Sequence, residues 1–126
     1  MAPSAALIVI AVLAACGDTA EVGVFTQSVC PPADPPTYDS FGRTFMESYC
    51  TKCHDSAKTG VLREDAPPTI DFDSLVLLRM WTSQIDKQAA IGPAASNRRM
   101  PPSGNPAPSD AERRRLGEYI ACEVAR

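Results

Sequence analysis

Two cysteines and a histidine carry the clearest chemical signal in the sequence. Cys50 and Cys53 are separated by two residues, and His54 follows directly. Two thiols at this spacing, at the end of a helix, can each form a thioether with one vinyl group of the same porphyrin. The next residue then lies under the iron as an axial ligand. The CxxCH pattern is therefore typical of the covalent attachment of one haem.

Three other interpretations of this pattern compete with haem attachment. A thioredoxin-like redox pair would follow a strand in a βαβ unit, and the sequence shows no strand-like alternation. A zinc site would need further ligands, yet His54 is the only histidine of the chain, and adjacent Cys53 and His54 suit tetrahedral coordination poorly. A plain disulfide between Cys50 and Cys53 would leave His54 without a role. Haem attachment is the interpretation that uses all three residues.

The second axial ligand is expected to be a methionine, because the chain has no second histidine. The four candidates are Met1, Met46, Met80 and Met100. The first lies in the N-terminal apolar run, and the next two lie in predicted helices, where filling the core is the expected role. Met100 instead precedes two prolines, which hold the loop extended and present the thioether with little loss of entropy. Packing of Met100 into the core is the alternative.

Ligation by Met100 has a functional consequence. A thioether opposite His54 favours ferrous iron, raises the reduction potential and fills the sixth coordination position. The ligand pair therefore predicts outer-sphere electron transfer in preference to oxygen chemistry.

The remaining cysteines predict an exported protein with one disulfide. Residues 1–15 carry no charge, and their apolar run is too short to span a bilayer, which is typical of a signal peptide, although a positive start is missing. The sequence Leu-Ala-Ala-Cys at 13–16 resembles a bacterial lipobox, in which Cys16 would carry diacylglycerol. An ordinary signal that leaves Cys16 as a thiol is the alternative. These features predict a lipid anchor on the periplasmic side of a bacterial membrane.

Cys30 and Cys122 are then the two cysteines that have no assigned role. In an oxidising compartment two such cysteines can pair as a disulfide. A disulfide between them would close a loop that, on the chain-entropy model, stabilises the fold by about 4 kcal/mol. Two buried thiols are the alternative.

Length and composition fit one small domain. The chain has 126 residues and a formal net charge of −3, which gives no argument for a nucleic-acid partner. We expect a signal peptide at 1–15, a proline-rich tether at 16–36 and a folded domain at 37–126. Helices are predicted from Thr37 or Asp39 to the CxxCH, from Asp73 or Ser74 to about Ile91, and from the capping box at Ser109 towards the C-terminus. The sequence therefore predicts an all-α fold.

Over residues 37–126 the chain resembles class I cytochromes c, in particular the small lipoprotein-type domains with a Met-Pro-Pro motif. The family places a glycine, an aromatic residue and the first haem cysteine at intervals of four, and this chain has Gly42, Met46 and Cys50, with Phe45 next to the substituted position. A leucine and an aromatic residue of the last helix pack on that glycine, matching Leu116 and Tyr119. The resemblance implies about three helices wrapped around one haem.

The resemblance also implies contacts around the haem. The imidazole of His54 would be fixed by a backbone carbonyl of a proline-containing loop, for which Pro67 or Pro68 is the candidate. Propionate contacts would come from Trp81 and Arg99, and Arg98 could share that role. Packing into the core is the alternative for Trp81, and facing a docking partner is the alternative for Arg98 and Arg99. The arginine run at 113–115 is expected to form a solvated helical face.

The sequence as a whole predicts a monohaem c-type cytochrome that transfers single electrons between redox partner proteins. It predicts no enzymatic activity and no small-molecule substrate. A haem-based sensor or peroxidase-like enzyme with an open sixth position is the alternative. A further alternative is a subunit whose haem serves a larger complex.

Overall fold

The computed structural model describes residues 23–126, so the predicted signal peptide and the lipid site at Cys16 lie outside the described residues. Its elements are a π-helical turn at Tyr38–Gly42, helix α1 at Arg43–Tyr49, a 3-10 turn at Gly60–Arg63, helix α2 at Leu75–Met80, helix α3 at Thr82–Ala89 and helix α4 at Asp110–Val124. No strand forms within this part of the chain, where a single isolated bridge joins Ile91 to Ser96. The all-α prediction is confirmed. None of the helices seen here is long and apolar enough to cross a membrane.

The first and last helices begin at the caps that the sequence predicts. The hydroxyl of Thr37 accepts a hydrogen bond from the backbone N–H of Ser40, and the Ser40 side chain reciprocates. Ser109 and Glu112 form the corresponding box at the start of α4. Each box satisfies two N–H groups that would otherwise lack a partner, which fixes where the helix begins.

The helix predicted over 73–91 is divided in the structure, and this prediction was wrong. Trp81 alone separates α2 from α3, with φ −122° and ψ 15°, and its N–H bonds to the carbonyl of Leu78 three residues earlier. No glycine or proline lies between Ser74 and Ala90 to signal the break. Local propensity favours a continuous helix here, so tertiary packing decides the conformation.

The core forms where the π-helical turn and α1 cross α4. A Cβ added at Gly42 would lie 2.5 Å from Cζ of Tyr119, so only glycine permits this approach. Tyr119 and Leu116 are fully buried, and the ring of Phe41 lies 5.9 Å from that of Tyr119. The side chain that meets Gly42 at this crossing is therefore that of Tyr119 in α4.

Residues 23–30, which we call the strap, pack across α3 and α4. Thr26 is fully buried and donates to the carboxylate of Asp86 from both its backbone N–H, at 2.9 Å, and its hydroxyl, at 2.6 Å. Its carbonyl accepts from the N–H of Ala94. The strap passes close to Gly92 and Gly117, where an added Cβ would meet Ser28 Oγ at 2.4 Å.

The packed structure therefore begins well before Thr37, inside the segment expected to be a tether. An extended segment that bonds through its backbone has no hydrophobic period to reveal it in the sequence. The strap ends at a disulfide between Cys30 and Cys122, whose Cα atoms are 4.6 Å apart and whose sequence separation is 92. Closure of a loop of this size contributes about 4 kcal/mol on the chain-entropy model.

Candidate functional site

A cavity of about 410 Å³ lies between the CxxCH segment, α3 and two loops. We call residues 54–72 the His54 loop and residues 90–102 the Met100 segment. Six of the residues singled out in the sequence line this cavity: Cys50, Cys53, His54, Pro67, Arg99 and Met100. Much of the remaining wall is apolar and comes from Ile70, Phe72, Ile85, Ala89 and Pro101. The structure thus brings together residues that are 50 positions apart in the sequence.

The two cysteines lie on the turn that ends α1. The N–H of Cys50 bonds to the carbonyl of Met46, and the N–H groups of Cys53 and His54 both bond to the carbonyl of Cys50. Neither thiol forms a disulfide with another residue of the described chain. Burial raises the pKa of Cys50 to about 12. Burial and nearby Glu64 raise that of Cys53. Both side chains are therefore neutral thiols at pH 7.

His54 is oriented by a single backbone carbonyl. Its Nδ1 lies 2.8 Å from the carbonyl oxygen of Ile70, which can only accept, so Nδ1 carries the proton and Nε2 is left with a lone pair. The imidazole packs against the ring of Phe72, with the ring centroids 4.8 Å apart and the planes tilted by 34°, and burial lowers the pKa of His54. A neutral imidazole with one nitrogen fixed by a carbonyl is the form that binds a metal through the other.

The carbonyl implied by the resemblance was assigned to the wrong residue. Neither Pro67 nor Pro68 bonds to His54, although both lie in the same loop. The acceptor is Ile70, and the backbone N–H of Phe72 returns a bond of 3.0 Å to the carbonyl of His54. The loop therefore holds His54 by both its side chain and its backbone.

Met100 is held at the cavity by its backbone. Its N–H donates to the carbonyl of Gln88 at 2.9 Å, and its carbonyl accepts from Arg113 at 2.8 Å. The side chain is partly buried against the core. Met46 is buried in the core as predicted, whereas Met80 is 68% exposed, so its expected core-filling role was wrong. The break at Trp81 ends α2 with Met80 on the surface.

The residues predicted to contact the haem propionates lie at different positions relative to the cavity. Arg99 lines the cavity, whereas Arg98 pairs with Asp110 at 2.8 Å outside it. Trp81 does not line the cavity, but its Nε1 is buried and finds no hydrogen-bond acceptor among the described residues. A buried indole N–H usually has a partner, so this donor is available to a group that enters the fold.

Arg113 is a site residue that the sequence analysis placed wrongly. The run at 113–115 was expected to be solvated, yet Arg113 is 3% exposed and donates to the carbonyls of Ala89, at 2.7 Å, and Met100. Its position in a run of three arginines conceals this role. The helical period places Arg113 three residues before buried Leu116, on the inner face of α4, and this was the available signal.

Arg63 was not singled out in the sequence. Its guanidinium is 3% exposed and donates to carbonyls of the His54 loop, including those of Asp55 at 2.8 Å and Pro67 at 2.6 Å. Nη2 also lies 2.8 Å from Oδ1 of Asp71, a close ion pair that is not aligned as a hydrogen bond. A buried charge needs a partner of opposite sign and hydrogen bonds. Because Arg63 finds both among residues 55 to 71, it holds this loop together.

Lys52 joins the two sides of the cavity mouth. Its Nζ donates to Oδ1 of Asn105 at 2.7 Å and lies 3.0 Å from Oε1 of Glu64. All three residues line the cavity. We call this contact the clasp.

No family model, curated protein or solved structure matches the chain. Among residues 23–126, no three histidine, cysteine, aspartate or glutamate side chains converge as a metal site. The donors at the cavity are instead one imidazole, one thioether and two thiols. With its apolar walls and the open Nε2 of His54, this set fits a haem, which needs one axial ligand on each side and two thiols for its vinyl groups.

Proposed function

We propose that the protein is a monohaem c-type cytochrome with a cytochrome c-like fold and that it transfers single electrons. The observation that carries the proposal is the convergence of Cys50, Cys53, His54 and Met100 on one largely apolar cavity. Any one of these residues has an ordinary structural explanation. Together they would supply two thioether attachments and two iron ligands for one haem.

Each residue of the candidate site would have a distinct part in this function. Cys50 and Cys53 would hold the haem as thioethers, and His54 would bind through Nε2 while Ile70 keeps the proton on Nδ1. Met100 would supply the sixth ligand, and Arg99, which lines the cavity, would contact a propionate. The haem supplies an iron that gains and loses one electron. Phe72 and Ile85 exclude water, which limits the reorganisation that accompanies each transfer.

Electron transfer is favoured over an open iron site because Met100 is fixed at two backbone atoms. Bonds to the carbonyl of Gln88 and from Arg113 hold the segment beside the cavity without any ligand. A ligand positioned in advance loses little entropy on binding. This supports a six-coordinate carrier over the sensor or peroxidase-like alternative.

The proposed setting is the periplasmic side of a bacterial membrane, with a diacylglycerol on Cys16 and redox proteins as partners. The sequence of residues 1–16 supports this setting, as does the disulfide between Cys30 and Cys122, which is typical of an oxidising compartment. Mass spectrometry of the mature protein tests it. We expect one added haem, a diacylated Cys16 and the loss of two hydrogens at the disulfide.

Spectroscopy of two methionine variants tests the function. The ferric wild-type protein should show the weak charge-transfer band of methionine-ligated haem and should bind CO slowly in the ferrous state. Met100→Ala should abolish the band and bind CO readily, whereas Met80→Ala is the matched control and should behave as wild type. A protein without covalent haem would refute the function, and rapid CO binding by wild type would favour the open-site alternative.

A further inference from the structure

The hydrogen bonds of Arg63 all go to one loop, the loop that holds His54. Five of its hydrogen bonds go to backbone carbonyls of the His54 loop, those of Asp55, Lys58, Ala66, Pro67 and Ile70. The last of these acceptors is the one that also binds His54. Nη2 of Arg63 lies 3.2 Å from the Ile70 oxygen, and Nδ1 of His54 lies 2.8 Å from it.

Two donors on one carbonyl compete for its electron density. A carbonyl oxygen has two lone pairs, and a cationic donor polarises it more strongly than a neutral one. The guanidinium therefore makes the Ile70 oxygen a weaker acceptor for the imidazole N–H. The strength of the hydrogen bond from the Nδ1–H of His54 to the Ile70 oxygen determines how electron-rich Nε2 is. An electron-rich Nε2 stabilises ferric iron better.

We propose that Arg63 sets the reduction potential of the haem by sharing the Ile70 carbonyl with His54. This inference rests on the proposed function and deepens it. Arg63 acts as a positioning residue, because it contacts the carbonyl and not the iron ligand. By weakening the bond from His54 to Ile70, it makes the imidazole a poorer donor and favours the ferrous state.

The ion pair with Asp71 allows the effect of the shared Ile70 carbonyl on the potential to be distinguished from the effect of the Arg63 charge. The Asp71 carboxylate lies 2.8 Å from the guanidinium and offsets its field at the iron. A lysine at position 63 would keep the charge beside Asp71, but a single ammonium cannot span the same set of carbonyls. Arg63→Lys therefore removes the shared carbonyl contact while it retains the charge.

The test is redox titration of the holoprotein with Arg63→Lys and Arg63→Met. We expect the equilibrium constant for reduction by a fixed mediator to fall about tenfold in both, a lowering of ~59 mV for one electron. In the reduced protein, the proton on Nδ1 of His54 should move downfield in the NMR spectrum, because its bond to Ile70 strengthens. Arg79→Met is the matched control, since Arg79 pairs with buried Glu123 and does not touch the His54 loop. It should leave both measurements unchanged.

Each other outcome overturns the proposal. If Arg63→Lys keeps the wild-type potential and only Arg63→Met lowers it, charge alone is responsible. If neither variant changes the potential or the Nδ1 proton, Arg63 is purely structural. If Arg63→Met does not fold, Arg63→Lys alone tests the proposal, because a wild-type potential in that variant overturns it. Wild-type protein that carries no haem would refute the proposed function itself, and that result is distinct from a haem protein whose potential ignores Arg63.

Discussion

The two sides of the cavity are each held by a buried arginine, but the two arginines differ in their surroundings. Arg63 and Arg113 are both 3% exposed. Arg63 lies against Asp71, whereas Arg113 bonds only to carbonyls and forms no ion pair with any residue in the described chain. Burial, and then nearby Arg98, lowers the pKa of Arg113.

The difference indicates that the His54 side of the cavity opens less readily than the Met100 side. A buried pair with many carbonyl bonds cannot be taken apart without stranding a charge. Arg113 can leave its carbonyls for water and regain solvation. We therefore expect the Met100 segment to open before the His54 side. Under the proposed function, Met100 would be held by coordination alone, whereas the thioethers of Cys50 and Cys53 would tie the His54 side to the haem.

The largest expected effect comes from breaking the His54 side. Arg63→Met strands Asp71 in the interior, and we expect the free energy of unfolding to fall by about 3–5 kcal/mol. Denaturant titration followed by circular dichroism measures this. Arg98→Met is the control, since its pair with Asp110 is half exposed and should contribute less than about 1 kcal/mol. Equal losses in the two variants would contradict the buried pair.

Breaking the Met100 side should have a smaller effect on global stability. Arg113→Met leaves the carbonyls of Ala89 and Met100 without their donor, at a cost of about 1–3 kcal/mol. The methionine–iron band should disappear at a lower denaturant concentration than the helical signal. If band and helix are lost together in this variant, the segment is not an independent unit.

A pH titration probes the His54 side again through Asp73. Burial raises the pKa of Asp73, but hydrogen bonds from the hydroxyl and N–H of Ser56 outweigh this and hold it below the ordinary value of 3.8. The carboxylate therefore stabilises the fold above that value, and this contribution is lost as the pH falls through the folded pKa. Asp73→Asn should flatten the acid limb of the stability curve. Asp39→Asn, at an exposed ion pair, should leave the limb as in wild type.

The clasp should give the smallest effect, because its charges are about half exposed. Lys52→Ala should lower the free energy of unfolding by less than about 1 kcal/mol, and the loss should shrink at high salt. Hydrogen exchange should quicken at residues 64 and 105 together. Faster exchange on one side only would show that Lys52 does not couple the two sides.

The parts of the structure that follow short-range patterns were predictable. Helical periodicity and capping residues predicted α1 and α4, and the two prolines after Met100 predicted a loop there. The break at Trp81 and the burial of Arg113 depend on which surfaces meet, and no local pattern encodes that. The strap and the Ile70 carbonyl act through backbone atoms, which every residue type shares, so their partners cannot be read from residue identity.

The strap also sets how far the domain could travel from a bilayer. If Cys16 carries the lipid, only the stretch from 16 to 23 lies between anchor and packed structure, a reach of at most about 25 Å when fully extended. A free tether as far as Thr37 would reach roughly 75 Å. The protein would then stay in a thin layer next to its own membrane. Under the proposed function, its electron donors and acceptors would lie within that layer, and it would not reach the opposite membrane.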